Sequence, residues 1–241
     1  MSDLDRIRKE EKQYHEFCYD KYDLYEEGSW LKKPAPVIED HLAFICKREK
    51  PQILDLGAGV GRNSIPMAKA AKDAGGRVQA VDFLASAMEK LRGYREDYNV
   101  ADVLECVESD IADVDMPENG YDLIVAISSI EHVDNLQTFE KILDRMRLGT
   151  KPGGRVIIIA NSDIEEYDWH TREKREPLLE VHLSTKNLHE QLMKAFDGWN
   201  IQREDVKPLS FEVVRDGNPV QLKSRALTLV VEKPEDKESA T

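Results

Sequence analysis

The sequence predicts a doubly wound α/β fold: a mostly parallel sheet of seven strands that ends in an antiparallel hairpin, preceded by an N-terminal helical extension. Three observations carry this. The apolar run Ile53-Leu54-Asp55-Leu56 breaks into three alternate glycines, Gly57, Gly59 and Gly61, just before a helical pattern that opens at Ser64. Short apolar runs and helical patterns then alternate down to Ala160, the rhythm of strand, crossover helix and parallel strand. Finally, two strand segments, 199–206 and 226–231, lie either side of the polar turn signal Arg215-Asp216-Gly217-Asn218-Pro219 and pair as an antiparallel hairpin.

Taken in order, residues 3–27 place Leu4, Ile7, Tyr14, Phe17 or Cys18, and Tyr25 at roughly helical spacing. The amphipathic helix so predicted is dense in aromatics, with Tyr14, Tyr19, Tyr22 and Tyr25 in it and Trp30 just after. Such a helix ordinarily faces the core; its functional reading is a lid over a cofactor and substrate pocket. Residues 28–36 are a loop and 37–48 a helix running up to the first strand, 52–56. Helix 62–71, strand 78–81, helix 84–94, strands 103–106 and 121–127, helix 136–148 and strand 155–160 follow. Residues 161–179 carry many charges and little periodicity, so they read as a long connection over the carboxyl edge of the sheet, where substrate loops belong. A helix over 184–196 and the hairpin close the fold, and 234–241 read as a charged, disordered tail. This divides the chain into a helical cap, 1–50, a main domain, 51–233, and the tail.

Composition bounds the partners. With 34% charged residues and a net charge of −13, the chain is a poor match for a phosphate backbone, so nucleic acid is not the expected substrate. Cys18, Cys46 and Cys106 are widely spaced and odd in number, with no Cys-x-x-Cys pair, so they indicate neither a disulfide framework nor a zinc site. An acidic N-terminus and the absence of any long apolar run point to a cytoplasmic protein without membrane attachment. Nothing in the sequence fixes an oligomeric state.

The chemistry starts at the glycines. Glycine is needed where a backbone takes positive φ or approaches a ligand with no Cβ in the way. At a strand-to-helix turn, three of them let an adenosine conjugate lie across the carboxyl end of the strand, where open α/β sheets bind ligands. Asp55 stands two residues before the first glycine, and Val78-Gln79-Ala80-Val81-Asp82 is a second strand ending in an acid, placed to accept the ribose hydroxyls of a nucleoside.

Taken together, these motifs resemble the class I S-adenosylmethionine-dependent methyltransferases. The resemblance runs through Leu54-Asp55-Leu56-Gly57-Ala58-Gly59-Val60-Gly61, Asp82, Ser109-Asp110-Ile111, Tyr121-Asp122-Leu123-Ile124-Val125 and Lys151-Pro152-Gly153-Gly154, five motifs in order. Gly61-Arg62-Asn63-Ser64, the stretch from Gly198-Trp199 to Thr228, and Trp30-Leu31 with Pro34 and Pro36 are similar to the tellurite-resistance branch. The resemblance implies a Rossmann-like fold, S-adenosyl-L-methionine as cofactor and a small-molecule acceptor. It also implies residue roles. Asp82 would hold the ribose and Phe83 would cover the adenine; Asp110 would accept the adenine amino hydrogens beside the Ile111 backbone, its plainer reading being a turn cap. Gly57, Ala58 and Gly59 would line the methionine portion, Asp55 would orient that loop or accept from the ammonium, and Ala126 and Ile127 would lie near the sulfonium methyl.

The acceptor is less legible. In the family, some metal-dependent O-methyltransferases carry Glu-x-x-Glu-His after strand four; here Ser128-Ser129-Ile130-Glu131-His132 lacks the first carboxylate. Glu131 and His132 are therefore expected to act without a metal, either as a strand-end pair that caps the next helix and packs beside the cofactor or at the pocket mouth, with His132 as proton acceptor. Arg225 is similar to a basic residue in the hairpin of the tellurite-resistance branch and would clamp the acceptor if that is an anion, its plainer reading being a solvated strand-edge charge; Leu209-Ser210-Phe211 offers no His-Arg pair upstream. Competing classes are a metal-assisted O-methyltransferase, a nicotinamide-dependent oxidoreductase, against which Arg62 stands in place of the third fingerprint glycine, and a non-catalytic cofactor-binding module.

Overall fold

The computed structural model describes residues 3–177, 179–215 and 217–235. Its elements are α1 (Asp3–Lys21), α2 (Pro36–Glu39), α3 (Leu42–Cys46), β1 (Gln52–Leu56), α4 (Ser64–Asp73), β2 (Arg77–Asp82), α5 (Ala85–Asp97), β3 (Leu104–Glu108), β4 (Tyr121–Ile127), α6 (Leu136–Gly149), β5 (Thr150–Asp168), β6 (Lys174–Arg175), α7 (Thr185–Ala195), β7 (Asn200–Arg215) and β8 (Asn218–Glu232). The sheet order is β3-β2-β1-β4-β5-β8-β7, with the two-residue β6 on the side of β5. Strands β1 to β5 are parallel, β8 runs antiparallel to β5, and β7 antiparallel to β8. The sheet is thus the expected one.

All seven residues of β4 are buried, as a central parallel strand covered on both faces requires. One face packs Ile53, Val78, Leu123, Val125 and Ile157 against the N-terminal segment, α4 and α5. The other packs Leu54, Ile124, Ala126, Val156 and Ile158 against α6 and α7. Side-chain caps start both of these last helices: Asn135 Oδ1 accepts from the Thr138 N–H at 3.0 Å, and Ser184 Oγ from the Asn187 N–H at 3.2 Å.

Three expectations are corrected. The helix predicted over 37–48 is two short ones, because the His41 ring, 8% exposed, takes the Val37 carbonyl at 2.7 Å and breaks the helical ladder between them. Residues 161–168, predicted as connection, continue β5, whose residues Ser162, Ile164 and Glu166 alternate inward. Charge disguised this period-2 pattern, since the buried Glu166 is paired with the equally buried Arg215 at 3.3 Å. Finally, the hairpin strands are longer than predicted, 16 residues in β7 and 15 in β8: β7, β8 and the end of β5 extend past the sheet as a three-stranded arm. Ile164, Val213, Val220 and Leu222 form its own small core, against which Tyr14 of α1 packs. Residues 236–241 of the predicted tail, and Asp216 of the turn, lie outside the described residues.

Candidate active site

The carboxyl ends of β1, β2 and β4 meet at the glycine turn. Gly57 has φ +75° and Gly59 φ +54°, conformations a side chain rarely adopts. Space excludes one too: a Cβ on Gly57 would stand 2.3 Å from Ser129 Cβ, and one on Gly59 2.7 Å from the Tyr19 hydroxyl. The Gly57 and Ala58 N–H groups donate to the Val81 carbonyl at 2.8 and 2.9 Å, tying the turn to the end of β2. There Asp82 is held by two amides, Gly59 N–H on Oδ2 at 2.8 Å and Leu84 N–H on Oδ1 at 2.9 Å. Burial pushes its pKa up and these two bonds pull it back. Each oxygen retains further acceptor capacity, so the carboxylate is aligned and still able to accept.

Asp55 lies deeper. Its Oδ2 accepts from Ser64 Oγ at 2.6 Å, joining the end of β1 to the start of α4. Burial, with the neighbouring Asp82 charge, raises its pKa to about 6 against the pull of the Ser64 bond and Arg62. Phe83, next to Asp82, is 53% exposed, a large apolar ring at the rim of the site. Asp110 Oδ1 accepts from the Ala112 N–H at 2.9 Å, the turn-cap arrangement, and its other oxygen is 3.7 Å from Arg8 Nη2. Ile111 beside it is buried.

Above this edge lies α1. Its Arg8 reaches Asp110 and Asp134, and its Tyr19 sits over Gly59, with the Tyr19 carbonyl accepting from Lys90 Nζ at 2.6 Å. Three residues to which the sequence assigned no role in the site, although it placed Arg62 and Asn63 in a motif and Tyr19 in the aromatic helix, join the glycine turn to the N-terminal segment. Tyr19 stacks edge-on to Trp30, Arg62 Nη1 donates to the Trp30 carbonyl at 2.9 Å, and Asn63 Oδ1 accepts from the Ala35 N–H at 3.0 Å. The signal was present in Gly61-Arg62-Asn63 and the aromatic density of α1, but nothing in either names the other as its partner.

At the end of β4, Ala126 and Ile127 are buried and Ser129 Oγ donates to the Leu56 carbonyl at 2.8 Å. The next turn carries Glu131 and His132. Glu131, 2% exposed, accepts on Oε1 from both the backbone and side-chain amides of Asn161, each at 2.9 Å. Its Oε2 is buried with no hydrogen-bond partner among the described residues. His132 Nδ1 lies 3.1 Å from Glu180 Oε2, so Glu180 is an acid placed to orient the imidazole. Among the described residues no group of three or more His, Cys, Asp or Glu is gathered as metal ligands would be. Arg225 stands apart from this pair: it lies on the arm, opposite Ser162 of β5 and Pro208 of β7.

No helix among the described residues is long and apolar enough to cross a membrane. A family model described as a methyltransferase domain matches residues 53–154. The chain is 26% identical over 177 residues to the sterol 24-C-methyltransferase ERG6 of Saccharomyces cerevisiae, covering 73% of this chain and 43% of that one. To the ubiquinone biosynthesis O-methyltransferase of Rickettsia akari it is 35% identical over 109 residues, covering 45% of this chain and 39% of that one. It therefore spans less than half the length of these two relatives. Among solved structures it is similar in fold to TehB from Haemophilus influenzae, with TM-score 0.62, 19% identity and coverage of 83% and 62% of the two chains. It is also similar to the 1,6-didemethyltoxoflavin-N1-methyltransferase of Burkholderia thailandensis, solved with S-adenosylhomocysteine bound, with TM-score 0.55, 18% identity and coverage of 95% and 87%.

Proposed function

We propose that this chain, a class I S-adenosylmethionine-dependent methyltransferase by domain match and fold, transfers a methyl group to a small-molecule acceptor in the cytoplasm. The observation that carries the reading is Asp82, a buried carboxylate at the end of β2 fastened to the Gly59 amide beside an exposed Phe83. The cradle suits the cofactor chemically: an acceptor for vicinal hydroxyls, an apolar ring for a base, and a turn that exposes backbone rather than side chains.

In this reading Asp82 accepts from the ribose, Phe83 covers the adenine, and Asp110 with the Ile111 backbone reads the adenine amino edge. Gly57, Ala58 and Gly59 line the methionine portion and Asp55 holds their turn in place. Residues 1–50 act as a cap, with Tyr19 closing on the glycine turn. S-adenosylmethionine, when bound, supplies a sulfonium methyl for in-line displacement. Ala126 and Ile127 bound the space beside that methyl and exclude water from it, and positioning with desolvation supplies most of the acceleration.

Glu131 and His132 serve the acceptor without a metal. An Nδ1–H donated to Glu180 fixes the tautomer in which Nε2 is the basic nitrogen, so that His132 takes the acceptor's proton. The Glu131 Oε2 atom holds the acceptor by its donor group, and Arg225 binds it from the arm. The names of the relatives support a small-molecule acceptor of varied chemistry, since they include a sterol and a ubiquinone-pathway enzyme. Incubation with labelled S-adenosylmethionine and pooled acceptors, reading S-adenosylhomocysteine, tests the reading. Turnover abolished by EDTA and restored by magnesium would move the metal-assisted alternative to first place.

A further inference from the structure

We propose that the cavity between the arm and the start of α7 anchors an anionic group, a carboxylate or phosphate, carried by the methyl acceptor; this rests on the methyltransferase reading above. The cavity has a volume of about 640 Å³, and its walls include Asp163, Glu165, Lys174, His182, Lys223 and Arg225. Lys223 and Arg225 are two apart on β8, so both project from the same face of the arm.

Charge in this cavity is unevenly matched. Glu165 is taken by Lys174 Nζ at 2.6 Å and the Tyr167 hydroxyl at 3.0 Å. Asp163 accepts from Thr185 Oγ1 at 2.6 Å, and that bond holds its carboxyl below the usual range, with Arg225 and His182 acting on it as neighbouring charges. Neither Lys223 nor Arg225 forms an ion pair within the described residues; the Lys223 ammonium lies instead over the Tyr167 ring, 4.9 Å from its centroid. Lys223 and Arg225 act on Glu165 and Asp163 only as neighbouring charges, and three cations, Lys174, Lys223 and Arg225, face two carboxylates, Asp163 and Glu165, across the cavity. In a chain of net charge −13 this local excess of positive charge favours an anion.

Position links this cavity to the reaction. The segment that carries His182 also grips the β4 end: the Val181 N–H donates to the Glu131 carbonyl at 3.1 Å, Glu180 holds His132, and the Leu183 carbonyl accepts from the Asp163 N–H at 3.0 Å. On the opposite face of β8, Ser224 Oγ donates to Asn161 Oδ1 at 3.1 Å, and the Asn161 amide reaches Glu131, so the strand itself is also tied to the β4 end. An acceptor anchored at Lys223 and Arg225 would therefore run along residues 180–183 toward Glu131 and His132. The acceptor class this implies is an elongated acid: an anionic group at one end and the nucleophilic atom at the other. Losing the anchor would raise KM for such an acceptor and leave kcat largely unchanged.

The test is an amide-shift NMR titration of the full chain with inorganic phosphate, run on wild type, K223Q/R225Q and K207Q, with S-adenosylmethionine affinity measured calorimetrically on each. Lys207 is the control, an exposed lysine of β7 near Asp205. Saturating shifts at Asp163, His182 and Ser224 are expected, weakened about tenfold or more in K223Q/R225Q and unaltered in K207Q, with equal S-adenosylmethionine affinity throughout. Phosphate shifts that fall elsewhere, or that survive in K223Q/R225Q, would overturn the proposal. If that variant fails to fold, the wild-type shift map and the single variant R225Q decide in the same way. Wild type that binds phosphate in the cavity but not S-adenosylmethionine would overturn the methyltransferase reading instead.

Discussion

Asp55→Asn isolates the cost of holding a charge at the buried end of β1. An ordinary unfolded value near 3.9 against a folded value of about 6 makes the ionised form cost the fold about 3 kcal/mol, at ~1.4 kcal/mol per unit. The sign follows from proton binding. The folded chain keeps a proton on Asp55 that the unfolded chain has lost, so this contribution to stability is full below about pH 4 and is lost as pH rises through about 6. The variant cannot ionise, yet its amide oxygen still accepts from Ser64. Urea unfolding of both proteins at matched pH, from about 5 to about 7.5, should show the variant gaining on wild type by roughly 1 to 1.5 kcal/mol across that window. Parallel curves would refute the buried-charge argument, and a variant that loses ground with rising pH would reverse its sign.

Other perturbations reach the remaining parts of the site. Asp82→Ala should weaken S-adenosylmethionine binding by about 1.5 to 3 kcal/mol for each charged hydrogen bond lost; unchanged calorimetric affinity in a folded variant removes the ribose assignment. Gly57→Ala meets both a φ of +75° and a Ser129 Cβ at 2.3 Å, a cost of roughly 2 to 6 kcal/mol. A thermal melt within about 2 °C of wild type would contradict that packing. Glu131→Gln should preserve cofactor affinity while lowering methyl transfer to an identified acceptor about tenfold or more; full turnover would take Glu131 out of the acceptor site.

Much of the sheet was legible because burial on two faces leaves an uninterrupted apolar record: β4 could be read directly from Tyr121 to Ile127. The glycine turn and Asp82 were legible for the opposite reason, since positive-φ backbone and a buried strand-end carboxylate fastened by two amides each tolerate few residue types. The arm was hidden. Its inward positions include Glu166 and Arg215, which satisfy each other in the interior, and a pattern search scores both as surface. Pro208 and the exposed Leu209, Phe211 and Val214 of β7 further erase alternation on an edge strand open to solvent. Long-range partners were equally silent in the sequence. The contacts of Tyr19 with Gly59, Asn63 with Ala35 and Glu180 with His132 join segments 28 to 48 residues apart, and residue type alone does not announce them.

The central claim is that the glycine turn and Asp82 form an S-adenosylmethionine site. Calorimetric titration of the purified chain with S-adenosylhomocysteine, with NADH as the competing nucleotide, tests it most directly. Saturable one-to-one binding of the former and none of the latter is the predicted result; heat from NADH alone, or from neither, would contradict it.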